Sequence, residues 1–87
     1  MAKYDKLLER ILRGTSDVNI AFEEVRHLLK RLGFAERIRG DHYIFSKEGV
    51  AEIVNLQPKG RQAKPYQVKQ IRRIVVHYRL AGGDDEK

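Results

Sequence analysis

The sequence contains no cysteine, which excludes disulfide bonds, thiolate nucleophiles and metal sites built on cysteine. It has no apolar run that approaches the roughly 18 residues needed to span a bilayer. The N-terminal stretch MAKYDKLLERILRG is too charged for a secretory signal, so the sequence predicts a cytoplasmic protein. The 87 residues are enough for one domain with a modest hydrophobic core.

Common catalytic motifs are missing as well. The chain has no P-loop, no glycine-rich dinucleotide turn and no pattern that suggests a Ser-His-Asp triad. Its three histidines, His27, His42 and His77, show no metal-ligand spacing, and no carboxylate cluster accompanies them. This pattern argues against a zinc site or a two-metal nuclease site. The sequence therefore predicts a protein with no metal and no cofactor.

The chain carries an excess of positive charge. Lys and Arg number 18 against 12 Asp and Glu, which gives +6. The last six residues, GGDDEK, hold three acids and one Lys, so residues 1–81 carry +8, with 17 basic and 9 acidic side chains. A basic domain of this kind is typical of proteins that bind nucleic acid phosphates. The simpler alternative is that the charge serves only solubility.

Hydrophobic periodicity predicts two helices in the first third of the chain. The first covers residues 3–13 and has apolar residues at helical spacing. The second covers about residues 20–32, where Asp17 or Asn19 can cap its start and Gly33 ends it. The remaining helix follows a basic loop, PKGRQAK, and begins at Pro65, a residue favoured in the first turn. A basic face accompanies its apolar stripe and consists of Lys69, Arg72 and Arg73.

Between the second and third helices the pattern changes to strand-like alternation. FAERIR and HYIFSK flank Gly40-Asp41, a signal for a two-residue hairpin turn, and AEIVNLQ is predicted as a third strand. The order α-α-β-β-β-α predicts an α+β fold, a two-layer α-β-β-β-α sandwich with an extra N-terminal helix. The helices should cover one face of an antiparallel sheet. The other face also has apolar residues and needs a cover, either the N-terminal helix or a partner protein.

His42 is the residue that most suggests chemistry. It lies one residue after the predicted turn, beside Asp41, in a basic protein. A histidine exchanges a proton readily near neutral pH, and RNA carries its own nucleophile in the 2′-hydroxyl. One positioned base can let that oxygen attack the adjacent phosphate while Lys and Arg stabilise the developing charge. The alternative is a structural ring that hydrogen-bonds the turn, and the residue pattern alone does not decide between these.

The segments RLGF, RIRGDHYIF, VNLQ and KPYQVKQIRRIV, from about residue 20 to residue 80, resemble the HicA toxin family of bacterial toxin–antitoxin pairs. The resemblance implies the fold of double-stranded-RNA-binding domains, an mRNA interferase activity and inhibition by a HicB antitoxin. The family's essential histidine follows a Gly-Ser/Thr pair, and His42 occupies that position after Gly40 and Asp41. This chain therefore has Asp where the family usually carries Ser or Thr.

The sequence thus predicts three parts: residues 1–19, an N-terminal helix and connector that the resemblance does not cover; residues 20–80, the HicA-like toxin domain that the resemblance implies; and residues 81–87, an acidic tail whose composition predicts disorder. His42 is the predicted catalytic residue, on a turn formed by Gly40 and Asp41. The predicted RNA-binding residues lie beside this turn and in the loop before the last helix; they are Arg37, Arg39, Lys59, Arg61 and Lys64. Each of these could equally be a solvated surface charge.

Two other functions remain open from the sequence. A non-catalytic module for double-stranded RNA is one, although that class usually needs a longer loop than Gly40-Asp41 to reach a minor groove. An inactive toxin relic that only binds its antitoxin is the other, and Asp41 favours it. In every case an acidic partner surface would suit the +8 charge of residues 1–81.

Overall fold

The computed structural model describes residues 3–81 of the 87-residue chain. Three helices and three strands follow the predicted order, which confirms the α+β fold. Their bounds are α1 (Lys3–Arg13), α2 (Phe22–Arg31), β1 (Ala35–Arg39), β2 (His42–Ser46), β3 (Val54–Leu56) and α3 (Pro65–His77). The predicted disordered tail, residues 81–87, lies outside the described residues from residue 82 onward. Each of the described helices is too short or too polar to cross a membrane.

The three strands form one antiparallel sheet in the order β1-β2-β3. Arg39 pairs with His42, so only Gly40 and Asp41 connect β1 to β2, as the sequence predicts. Gly40 adopts a φ of +63°, a left-handed conformation that glycine reaches without a Cβ clash. The short turn fixes the β1–β2 register and thereby decides which side chains share a face.

One face of the sheet, called the inner face here, packs against the helices. Phe45, Val54 and Leu56 point to this face and are fully buried. The N-terminal helix α1 packs on α2 and α3 rather than on the sheet. Of the two covers that the sequence left open, α1 is therefore excluded, and none of the helices within residues 3–81 lies on the outer face of the sheet.

A single hydrophobic core joins all three helices to the inner face. Residues of α1 belong to it, so α1 is an integral part of the packed domain. The fully or nearly fully buried apolar residues are Leu7, Ile11, Ile20, Phe22, Val25, Leu28, Leu29, Phe34, Phe45, Val54, Leu56, Ala63, Val68, Ile71, Ile74 and Val75.

The predicted cap of α2 is wrong. The residue before α2 is Ala21, which makes no side-chain cap, and the Phe22 amide donates to the Arg61 carbonyl at 2.9 Å. The loop before α3 thus supplies the acceptor that a capping side chain would otherwise provide. Asp17 is engaged elsewhere, because both of its carboxylate oxygens accept hydrogen bonds from the Arg72 guanidinium at 2.9 and 3.0 Å.

This ion pair also corrects the predicted basic face of α3. Arg72 is not a solvated surface charge, since its guanidinium additionally donates to the Ile11 carbonyl at 3.0 Å. It therefore ties the last turn of α1 and the connector that follows it to α3. Hydrogen bonding from Arg72 lowers the pKa of Asp17 and keeps the carboxylate ionised.

A second ion pair joins α2 to the sheet. Arg26 donates to both oxygens of Glu36 at 2.6 and 3.0 Å, and Lys30 lies 3.1 Å from the same carboxylate. Glu36 points to the inner face and its side chain is only 6% exposed, so it needs these partners. Hydrogen bonding from Arg26 lowers the pKa of Glu36. The Arg26 guanidinium also stacks over the Tyr43 ring, 4.7 Å from its centroid.

Candidate functional site

The outer face of the sheet brings together basic, apolar and amide side chains. Arg39 lies directly opposite His42, and Ile44 lies between Arg37 on β1 and Asn55 on β3. Directly paired residues of an antiparallel sheet point to the same face, so these five side chains share the outer surface. The predicted catalytic histidine and two of the predicted RNA-binding arginines are therefore neighbours.

His42 is accessible from solvent. Half of its side-chain surface is exposed, and none of the described helices lies over this side of the sheet. Its Nδ1 atom lies 3.3 Å from the Asn55 side-chain oxygen, and its Nε2 atom lies 3.6 Å from a carboxylate oxygen of Asp41. The predicted contact with Asp41 is thus electrostatic, while the hydrogen bond of the ring goes to Asn55. A phosphate can reach this ring without displacing any element of the fold.

A second side-chain amide, that of Gln57 directly after β3, holds Asp41. The Gln57 side-chain amide donates to an Asp41 carboxylate oxygen at 2.6 Å. This bond lowers the pKa of Asp41, with smaller contributions from the backbone amide of Asp41 and from the charges of His42 and Lys64. Asp41 is therefore an anion at neutral pH and stands next to the imidazole.

A buried glutamine links this turn region to the start of α3. Gln67 is 1% exposed, and its side chain donates to the Gln57 carbonyl at 3.3 Å. Its amide oxygen accepts the backbone N–H of Lys64 at 3.3 Å. Gln57 is thus fixed through its main chain while its side chain holds Asp41. The network explains why a polar side chain is buried at the first turn of α3.

The predicted basic residues fall into two groups. Arg37 and Arg39 are exposed on the outer face, and neither guanidinium has an ion pair among residues 3–81. Lys64 lies close enough to act on the charge of Asp41, so it belongs to the same region. These three side chains are the cations that the structure brings to the turn of His42.

Lys59 and Arg61 lie in a different place. Lys59 and Gln62 pair across a second tight turn, at Gly60-Arg61, which docks on the start of α2. Arg61 lines a groove with Phe22 and other residues toward the inner face. Within the described part of the chain, no contact joins Lys59 or Arg61 to His42. Their predicted role at the site stays a prediction.

Asn55 and Gln57 are the residues that sequence reasoning missed. They alternate along β3 and its continuation, so both point to the outer face and reach the turn between β1 and β2. An asparagine between the apolar residues Val54 and Leu56 was the available signal. Its partner could not be inferred, because the long segment between β2 and β3 leaves their register undetermined by sequence.

The arrangement offers an exposed imidazole with an amide at one nitrogen, unpaired guanidinium groups beside it and an open approach. Such a set can exchange a proton and bind an anion. Among residues 3–81, no group of three or more His, Cys, Asp or Glu side chains is placed to hold a metal ion.

Comparison with known proteins identifies the family. A family model described as the HicA toxin of bacterial toxin–antitoxin systems matches residues 22–81, from the start of α2 to beyond α3. Neither a comparison with curated proteins nor one with solved structures finds a significant match. The matched region contains the sheet, the His42 turn and both helices that cover the inner face, and it leaves out α1. The chain belongs to the HicA family, the toxins of bacterial toxin–antitoxin systems.

Proposed function

We propose that this toxin is a metal-independent endoribonuclease that cleaves mRNA with His42 as its single catalytic side chain. The observation that supports the proposal best is the position of His42, half-exposed on an uncovered basic sheet face and fixed at one ring nitrogen. Membership of the HicA family supports an RNA target and an antitoxin partner in general. The specific reaction is inferred from the residues around the ring.

In the proposed reaction, His42 takes the proton of a ribose 2′-hydroxyl as that oxygen attacks the adjacent phosphorus. The new bond joins the 2′-oxygen to phosphorus, and the bond to the 5′-oxygen of the next nucleotide breaks. The leaving oxygen takes a proton from the imidazolium or from water. The products are a 2′,3′-cyclic phosphate and a 5′-hydroxyl, and no metal or cofactor takes part.

Cations beside the ring support the charge that develops on the phosphate. Arg39 is directly opposite His42, Arg37 is two residues further along β1, and Lys64 approaches from the start of α3. Their charges favour a negatively charged transition state, most strongly where water is excluded by bound RNA. We assign the RNA contacts of the site first to these three side chains.

Inhibition by an antitoxin would use the same surface, the outer face of the sheet. We propose that a HicB-like antitoxin covers the outer face, because this face is apolar at Ile44, basic at Arg37 and Arg39, and is left uncovered by the helices α1 to α3 that the structure describes. An acidic antitoxin surface would pair with the arginines and exclude RNA from His42. Coverage of this kind inhibits without unfolding the toxin.

Cleavage of a defined single-stranded RNA by the purified protein tests the proposal. His42→Ala should reduce the cleavage rate by at least about 100-fold, the usual range for loss of a general base. His77→Ala is the matched control, since His77 is an exposed histidine on α3 and contacts Tyr78 rather than the site. The control should cleave at the wild-type rate, and both variants should keep the wild-type thermal midpoint.

Two further measurements distinguish the proposed reaction from the alternative functions. A chelator should leave the rate unchanged, and an RNA with 2′-deoxyribose at the cleaved position should resist cleavage while still binding. Loss of activity with chelator would contradict the metal-free scheme. A wild-type protein that binds an antitoxin but never cleaves RNA would instead establish the inactive relic, the alternative that Asp41 favours because its anion faces the phosphate position.

A further inference from the structure

The contact between His42 and Asn55 bears on which ring nitrogen is free to accept a proton. We propose that Asn55 is a positioning residue that holds neutral His42 in the tautomer protonated at Nδ1, which leaves Nε2 as the proton acceptor. The catalytic consequence rests on the proposed function. The tautomer itself is a property of the free protein and can be measured without RNA.

The first observation is at Nδ1. The atom that faces it, at 3.3 Å, is the Asn55 side-chain oxygen, which can only accept a hydrogen bond. Nδ1 must therefore carry the hydrogen in this geometry. The two residues lie on adjacent strands and on the same face, because Asn55 is paired with Ile44, two residues along β2 from His42. Strand pairing thus fixes the amide in reach of the ring.

The second observation concerns Nε2, and it does not depend on which way the Asn55 side-chain amide is oriented. A protonated Nε2 facing a carboxylate would form a charge-assisted hydrogen bond of about 2.7–2.9 Å. The observed distance to Asp41 is 3.6 Å, too long for such a hydrogen bond. The other Asp41 oxygen is engaged by Gln57 at 2.6 Å, so the carboxylate is held in place rather than free to close on the ring.

The two observations select the same state of the ring. An inverted Asn55 amide would donate to Nδ1 and put the hydrogen on Nε2, where the fixed Asp41 carboxylate, at 3.6 Å, is too distant to accept a hydrogen bond from it. Once Nε2 has accepted the ribose proton, both ring N–H groups face acceptors, Asn55 on one side and Asp41 on the other. The arrangement therefore presents the base before the reaction and stabilises the imidazolium after it.

Nitrogen-15 NMR of the imidazole rings tests the assignment directly. In the neutral wild-type protein, the His42 ring should show a protonated Nδ1 and an unprotonated Nε2. Asn55→Ala should move the ring toward the tautomer protonated at Nε2, because the acceptor at Nδ1 is gone. Asn55→Asp keeps an acceptor there and should retain the wild-type pattern. The signals of His77, whose ring packs against Tyr78, should be the same in all three proteins.

Cleavage kinetics provide the second readout. Asn55→Ala should lower kcat by at least about tenfold with KM changed little, as expected when a base is mispositioned but RNA contacts remain. Asn55→Asp should recover part of kcat. An unchanged His42 tautomer in Asn55→Ala would overturn the inference whatever the activity. A tautomer change in a protein that never cleaves RNA would uphold the assignment and overturn the proposed function instead.

Discussion

At the scale of single residues, Asp41 occupies the position before the histidine where the resemblance to the HicA family implies Ser or Thr. Its carboxylate is ionised, accepts a hydrogen bond from Gln57 and lies beside the His42 ring, where the proposed reaction places the phosphate. Like charges at a partly solvated surface repel by an amount that salt can screen. Asp41 should therefore weaken RNA binding at low ionic strength.

Replacing Asp41 by Ser tests this effect without the complication of cleavage if it is made in the His42→Ala background. RNA affinity should rise about 2–5-fold at low salt, and the gain should shrink at high salt. Glu48→Ser is the matched control, because it removes the same charge from the turn beyond the other end of β2. Equal gains from both substitutions would mean that only net charge matters.

For single residues, the sequence predicted those features that depend on neighbouring positions and missed those that depend on distant ones. His42 and Gly40 could be placed because a two-residue turn is encoded in adjacent positions. Asp17 was misassigned as a helix cap, because its actual partner, Arg72, is 55 residues away along the chain. Local sequence shows which groups can hydrogen-bond, whereas the choice of partner depends on the tertiary fold.

At the scale of elements, α1 is outside the family match but inside the hydrophobic core. Ile11 is fully buried against the other helices, and the neighbouring Leu12 is 36% exposed. The Arg72 hydrogen bond to the Ile11 carbonyl adds a polar tie at the same place. The helix should therefore unfold together with the rest of the domain rather than as a separate appendage.

Two alanine substitutions in α1 test this. Ile11→Ala should lower the free energy of unfolding by about 3 kcal/mol, within the range for truncating a buried isoleucine. Leu12→Ala removes the same number of carbon atoms from the same helix, but the side chain is partly exposed, so its effect should stay below about 1 kcal/mol. Urea unfolding followed by circular dichroism gives both values, and equally small effects would show that α1 is not part of the cooperative unit.

Helices and strands could be predicted from the sequence where the spacing of apolar residues is regular over a short stretch. The three helices were found from apolar spacing, and their observed bounds differ from the predicted ones by a few residues at most. The third strand is shorter than the predicted segment AEIVNLQ, because only Val54–Leu56 pairs with β2. The Ala51 amide instead donates to the Tyr78 hydroxyl at 3.2 Å, a contact with a distant residue that no strand pattern reveals.

At the scale of the whole molecule, two ion pairs couple stability to pH. Asp17 and Glu36 have pKa values below their ordinary ones, because Arg72 and Arg26 respectively donate hydrogen bonds to the carboxylates. The unfolded chain therefore binds more protons than the folded chain in acid. The stabilisation is present above the unfolded pKa values, near 4, and is lost as the pH falls through the folded ones.

Thermal midpoints measured from pH 7 down to pH 2 should fall steeply below about pH 4 for the wild-type protein. Asp17→Asn combined with Glu36→Gln removes both titrating groups. The thermal midpoint of this variant should be lower than that of the wild type at pH 7 and should fall less as the pH is lowered. If the thermal midpoints of the wild type and the double variant fall equally steeply with pH, other carboxylates cause the acid sensitivity.

The three described helices lie on one side of the sheet, and this placement has a consequence for how such a toxin can change over time. Stability resides in the core between the helices and the inner face, while exposed side chains on the opposite surface contribute little to it. Substitutions at such positions typically alter the folding free energy by less than about 0.5 kcal/mol. Recognition of new targets or inhibitors can thus diverge on that surface while the scaffold beneath it stays folded.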